Sequence, residues 1–80
     1  MFKLILLDYS MPDMDGPEVA SQIRKTLTEK DIAQPFICCC SAYSDESFFE
    51  KAFASGMDKY LVKPVGSEEI LNLVSSLHLY

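Results

Sequence analysis

Three short segments of strand character, each closed abruptly and each followed by residues at helical spacing, constrain the fold more than any other feature. Phe2 to Leu7 is apolar except for Lys3 and ends at Asp8. Phe36 to Cys40 is apolar throughout and ends at Ser41; Lys59 to Lys63 is shorter and is stopped by Pro64. Continuous apolar runs of this length read as strands buried on both faces, as in a parallel sheet. Between them the period changes. Val19, Ala20, Ile23 and Leu27 share one helical face, as do Phe48, Phe49, Ala52 and Phe53, and then Ile70, Leu71, Val74 and Leu77. The pattern β-α-β-α-β-α predicts an α/β fold: a three-stranded parallel sheet with three helices and right-handed crossovers.

Local signals mark the boundaries. Tyr9 to Gly16 is a loop rich in turn residues, and Pro17 suits position N1 of a helix capped by Gly16 or Asp15. The polar stretch Thr28 to Gln34 ends that helix, and Gln34-Pro35 favours extended chain. Ser44 reads as the next N-cap, with Asp45 and Glu46 in the first turn, and Gly56 as the residue after the helix end. Ser67 reads as the cap of the last helix, with Glu68 and Glu69 following.

Eighty residues make one small domain, and 49% hydrophobic with 24% charged residues excludes a disordered chain. A net charge of −5 with no basic run argues against nucleic acid or an anionic membrane as partner. No apolar run is long enough for a bilayer, and the run ending at Leu7 is too short for a signal-peptide core, so a cytoplasmic chain is expected. The three cysteines are consecutive, Cys38, Cys39 and Cys40. That is no metal spacing, and neighbouring strand residues face opposite ways, so buried free thiols are expected.

In open α/β sheets the functional groups gather at the carboxyl ends of the strands. Here those ends carry Asp8, Ser41 and Lys63. A carboxylate, a hydroxyl and an ammonium at one sheet edge suit phosphoryl transfer. The carboxylate attacks phosphorus, the other two stabilise phosphoryl oxygens, and a divalent ion would bridge carboxylate and phosphate. The G-x-G-x-x-G and P-loop patterns are missing, and an EF-hand register on Gly16 puts Met11 and Gln22 where acidic ligands belong.

The segment Asp8-Tyr9-Ser10-Met11-Pro12-Asp13-Met14-Asp15-Gly16 resembles the D-x-x-M-P-x-M-D-G loop of response regulator receiver domains, found in two-component systems and hybrid histidine kinases. Ser41-Ala42 matches that family's Ser/Thr-Ala pair, and Tyr60-Leu61-Val62-Lys63-Pro64 its aromatic-x-x-Lys-Pro run. The resemblance implies a flavodoxin-like fold of strand order 2-1-3-4-5. Residues 1–80 would form a single partial receiver domain, its third to fifth strands and helices.

It also implies roles. Asp8 would be the phosphoacceptor, a phosphoprotein site charged as aspartyl phosphate by a histidine kinase or a histidine phosphotransfer protein. Asp8 and the Ser10 carbonyl would bind Mg²⁺. Ser41 and Lys63 would hold phosphoryl oxygens, Ala42 would keep the pocket mouth open, and Tyr60 would be the aromatic switch. Lys63-Pro64 would be cis. Such a module is no enzyme beyond self-catalysed transfer to its own aspartate.

The sequence departs from the family in beginning at the third strand, without the acidic pair that follows the first. Mg²⁺ is therefore expected to bind weakly or not at all, and the open sheet edge to favour self-association. The alternative readings are a degenerate receiver that serves only as a protein-interaction module, or a fragment without independent function. Asp15 is read as a turn or cap residue, Met11 and Met14 as packing, the Phe48, Phe49 and Phe53 stripe as core, and His78 as solvent-facing or packing.

Overall fold

The computed structural model describes residues 4–77. In chain order the elements are β1 (Leu4–Asp8), α1 (Gly16–Glu29), β2 (Phe36–Ser41), α2 (Glu46–Ala54), β3 (Lys59–Val62) and α3 (Ser67–Ser76). The strands form a parallel sheet of order β1-β2-β3. Leu4 lies opposite Phe36 and Asp8 opposite Cys40; Cys38 lies opposite Lys59 and Ser41 opposite Val62. All three strands therefore end at the same edge. Phe2 and Lys3, the expected start of the first strand, and His78 lie outside the described residues.

Alternation along the strands makes two cores. On one face Tyr9, Ile37, Cys39, Ala20, Ala52 and Met57 are buried, with Ile5, Leu7, Ile23, Phe48 and Tyr60 packed round them. This face is covered by α1 and α2. On the other, Cys38, Leu61 and Leu73 are buried beneath α3, joined by Leu4, Phe36 and Ile70. The adjacent thiols thus belong to different cores: Cys38 and Cys39 are fully buried on opposite faces, Cys40 is half-buried, and all three are free. Burial pushes the Cys38 thiol up to about 12 and Cys39 to about 11, so both stay protonated and inert.

Several boundaries differ from expectation. Asp15, one of the two expected caps, does cap α1, its Oδ1 accepting from the Glu18 amide at 2.9 Å, but Gly16 opens the helix, so Pro17 is second rather than first. Asp45, not Ser44, caps α2, and Gly66, not Ser67, caps α3; neither uses a side chain. The backbone turns one residue later at α2 and one earlier at α3 than the hydroxyl positions indicate. Gly56 follows the C-cap Ser55 with φ +103°, a conformation that glycine adopts without a Cβ penalty.

Three apolar assignments are corrected. Phe53 is 48% exposed, because Ala52 fills the place where α2 meets the sheet. Leu71 is 66% exposed and Leu73 takes its place in the core, since α3 is rotated so that Ile70, Leu73 and Leu77 face the strands. Met14 projects from the loop and is exposed rather than packed. β1 itself is not buried on both faces: Leu6 is 48% exposed, because β1 pairs only with β2 among the described residues.

One side chain unites the far end of the sheet. Arg24 donates from Nε and Nη2 to the Gly56 carbonyl at 2.9 and 2.7 Å, from Nη1 to the Pro35 carbonyl at 2.7 Å, and pairs with Asp58 at 2.7 Å. Asp58 Oδ2 also accepts the Ile37 amide at 2.8 Å. α1, the entry to β2 and the α2–β3 turn are thereby fixed together.

Candidate functional site

Asp8 stands at the last position of β1, and Lys63 follows β3 directly. The Lys63 Nζ reaches across the end of β2 to Asp8 Oδ2 at 2.6 Å. The second oxygen, Oδ1, accepts the Ser10 amide at 3.2 Å, the short-range bond that lets aspartate start a turn. The Lys63 bond first, and then the Ser10 amide, hold the Asp8 carboxyl below its ordinary range. Lys63 is raised, chiefly by the same bond. Both side chains are open to solvent, at 45% and 43%, so an incoming group can reach the carboxylate. The Lys63-Pro64 peptide is cis, as the resemblance implies.

The loop after Asp8 is pinned from both sides. The Tyr9 amide donates to the Cys40 carbonyl at 2.9 Å and the Gly16 amide to the Tyr9 carbonyl at 2.7 Å. A Cβ at Gly16 would stand 2.5 Å from the Asp8 carbonyl oxygen. The close return of the chain therefore requires glycine there. Asp15 is occupied by its cap and by Lys51 at 3.0 Å, which bears out its reading as a cap.

Ser41 is part of the same sheet end, and the Lys63 amide donates to its carbonyl at 2.7 Å. Its hydroxyl does something else. Alternation turns Ser41 to the α1/α2 face with Cys39, where it is buried and its Oγ accepts the Tyr43 amide at 2.9 Å. The strand ends thus bring Asp8, Ser41 and Lys63 together, while at side-chain level Asp8 and Lys63 form the pair. Ala42 is exposed beside them.

Sequence reasoning missed the aromatic shelf behind this pair. Tyr43 stacks on Phe48 with centroids 4.3 Å apart, and Tyr9 meets both edge-on. Tyr60 donates its hydroxyl to the Tyr43 carbonyl at 2.9 Å and packs edge-on against Phe49 at 4.5 Å. The Ser10 hydroxyl lies 3.5 Å from that of Tyr43. Tyr43 stands two residues after Ser41, and only that spacing could have drawn attention to it.

For a divalent ion the described residues offer one well-placed carboxylate, Asp8, whose two oxygens already have partners. No group of three His, Cys, Asp or Glu among them could hold a metal. Mg²⁺ prefers an octahedral oxygen set with one or two carboxylates and several waters. The donor set of these residues alone does not fit a tightly held ion.

Known proteins give this geometry its context. The family described as "Response regulator receiver domain" matches residues 1–75. The chain belongs to that family. It is 31% identical over 78 residues to the probable methanogenesis regulatory protein FilR2 of Methanothrix harundinacea, covering 98% of this chain and 48% of that protein. It is 36% identical over 74 residues to the cyclic di-GMP phosphodiesterase response regulator RpfG of Xanthomonas campestris, covering 92% of this chain and 19% of that protein. The chain spans about half or less of these relatives. Among solved structures, the BeF₃-activated DrrB receiver domain superposes with TM-score 0.82 at 28% identity, covering all of this chain and 64% of that one. Vibrio cholerae CheY4 gives 0.78 at 25% identity, with 94% of this chain and 60% of that one covered. This receiver is thus three strand–helix units of a CheY-like fold.

Proposed function

We propose that the chain is the phosphoacceptor-bearing part of a two-component receiver, a single partial domain over residues 1–80. One observation carries this reading: the Asp8 carboxylate, open to solvent, lies 2.6 Å from the Lys63 ammonium at the converging strand ends. An Asp8 oxygen attacks the phosphorus of a phosphohistidine on a histidine kinase or phosphotransfer protein. The O–P bond forms as the P–N bond breaks, and the electron pair leaves with the imidazole, which takes a proton from solvent. Lys63 exchanges its carboxylate partner for a phosphoryl oxygen and offsets the charge that develops there. Ser41 gives its hydroxyl to a second oxygen once it leaves the Tyr43 amide. Tyr60, bonded to the Tyr43 carbonyl, senses that movement. Ala42 leaves the mouth open, and Pro64 ends the strand beyond Lys63. These residues do not by themselves form a Mg²⁺ site; in a complete receiver, Asp8 and the Ser10 carbonyl would contribute two of its ligands. The reading carries with it a cytoplasmic setting.

Labelling by acetyl phosphate tests this. The chain alone should take up little phosphate, because Asp8 lacks a second carboxylate for the ion. Joined to an amino-terminal receiver segment that carries an acidic pair, it should label in a Mg²⁺-dependent way. Asp8→Asn should abolish that labelling and Lys63→Ala should reduce it. Undiminished labelling of Asp8→Asn, or none in the joined protein, would leave only an interaction module.

A further inference from the structure

Of the three consecutive cysteines, two share a face. Alternation turns Cys39 towards α1 and α2 with Ile37, and turns Cys38 and Cys40 towards α3. What the fold presents is therefore a Cys-x-Cys pair along one side of the central strand, β2. Cys38 is fully buried, and its S–H reaches only the Cys39 carbonyl, at a long 3.8 Å. Cys40 is half-buried and lies in register with Asp8. The two sulfurs are close enough to act on each other. Burial raises the Cys40 thiol, and the Cys38 S–H, as a hydrogen-bond donor, pulls it back, as does the charge of Lys63. Lys59, the register partner of Cys38, acts on that thiol in the same sense. Lysine ammonium groups thus bear on both sulfurs.

Geometry limits what such a pair can do. Residues two apart on a strand stand about 6.6 Å apart with their side chains parallel. A disulfide needs its Cβ atoms drawn to about 3.8 Å, so a direct S–S bond would distort β2. Zinc needs four ligands, and no group of three His, Cys, Asp or Glu among the described residues could hold a metal. A soft monovalent ion needs only two thiolates in line. Two metal–sulfur bonds of about 2.3 Å, the length found for zinc, end to end span about 4.6 Å, a distance that parallel side chains reach by leaning together.

We propose that Cys38 and Cys40 form a two-coordinate site for a soft monovalent metal ion of the cuprous kind. Binding makes two metal–sulfur bonds and releases both S–H protons to solvent, with no change of oxidation state. Cys38, inert as a free thiol, yields its proton because a coordinating thiol is deprotonated outright. One cation on two thiolates leaves a single negative charge, which Lys59 and Lys63 offset. The apolar side chains packed with Cys38, Leu4, Leu61 and Leu73 among them, keep water from the ion and so favour its reduced state. The site does not rest on phosphoryl transfer at Asp8.

The test uses the reduced chain under nitrogen, with cuprous ion supplied as its coloured bicinchoninate complex. The chain should withdraw one ion per molecule and keep its circular dichroism spectrum. Cys38→Ala and Cys40→Ala should each weaken binding about 100-fold or more, and Cys39→Ala should bind as the unaltered chain does. X-ray absorption at the copper edge of the unaltered chain should show two sulfur neighbours and no nitrogen or oxygen, a reading that needs no variant to fold. Four outcomes would overturn the proposal. They are colour that stays with the bicinchoninate, undiminished binding by Cys38→Ala or Cys40→Ala, three sulfur neighbours or a lost helical spectrum on loading, and one ion for every two chains, which would place the metal between copies.

Discussion

β1 and β2 are built from almost the same kind of residue and meet different fates. Ile5 and Ile37 are register partners on the same face of the sheet. Ile37 is fully buried between two strands and under two helices, whereas Ile5 keeps part of its surface on an open groove. Along β2, Ile37, Cys38 and Cys39 are all sealed; along β1, Leu6 is half exposed. The difference teaches that an apolar run specifies a strand, while its neighbours decide how much free energy its side chains contribute. The burial term scales with area removed from water, about 25 cal/mol per Å², so equal side chains contribute unequally.

The sharpest way to break this comparison is to truncate the register partners. Ile37→Ala should cost about 2–5 kcal/mol, the range for a core isoleucine or leucine that leaves a cavity. Ile5→Ala should cost clearly less, because solvent or a relaxed edge fills the space. Urea denaturation of both variants measures the gap, and equal losses would remove the distinction between edge and centre.

A smaller effect is expected where β2 begins. Asp58 Oδ2 holds the Ile37 amide at 2.8 Å and the Arg24 guanidinium at 2.7 Å. Asp58→Ala leaves that amide and a half-buried cation without the carboxylate, at a cost of about 1–3 kcal/mol. The loss should show as early amide exchange at Ile37 and not along β1.

The smallest effect joins β1 to β3 across β2. The Asp8 carboxyl is lowered by its bonds to Lys63 and the Ser10 amide. Its contribution to stability is fully present above the pKa of an unfolded aspartate and is lost as pH falls through the lowered folded value. Lys63 is raised, so its share is present below the unfolded lysine range and is lost as pH rises through the folded value. Both side chains are nearly half exposed, and solvent screening keeps the pair weak. Urea midpoints should therefore decline on acidification slightly more steeply in the native chain than in Lys63→Ala. Parallel curves would mean that the pair contributes no stability.

The amino-acid sequence by itself determined the order of six elements, the parallel sheet and the strand ends that carry Asp8, Ser41 and Lys63. Apolar periodicity and turn chemistry are local properties, and Asp15, Pro17 and Gly56 act within a few residues of themselves. The D-x-x-M-P-x-M-D-G loop and the Lys63-Pro64 pair made the candidate site legible through their resemblance to the receiver family. What depended on distant partners stayed hidden. Arg24 meets Gly56 and Asp58 across 32 and 34 residues, and no spacing announces that clamp. Leu71 and Leu73 both suit an amphipathic helix, and only the rotation of α3 over Cys38 and Leu61 assigned one to the core and one to solvent. Tyr43 joined the site through stacking on Phe48 and the hydroxyls of Ser41 and Tyr60. Ser41 itself was placed at the right strand end by its sequence, but the pleat sent its hydroxyl to the opposite face from Asp8. Burial and side-chain direction are properties of what lies opposite, and for this receiver only the tertiary structure supplied the opposite side.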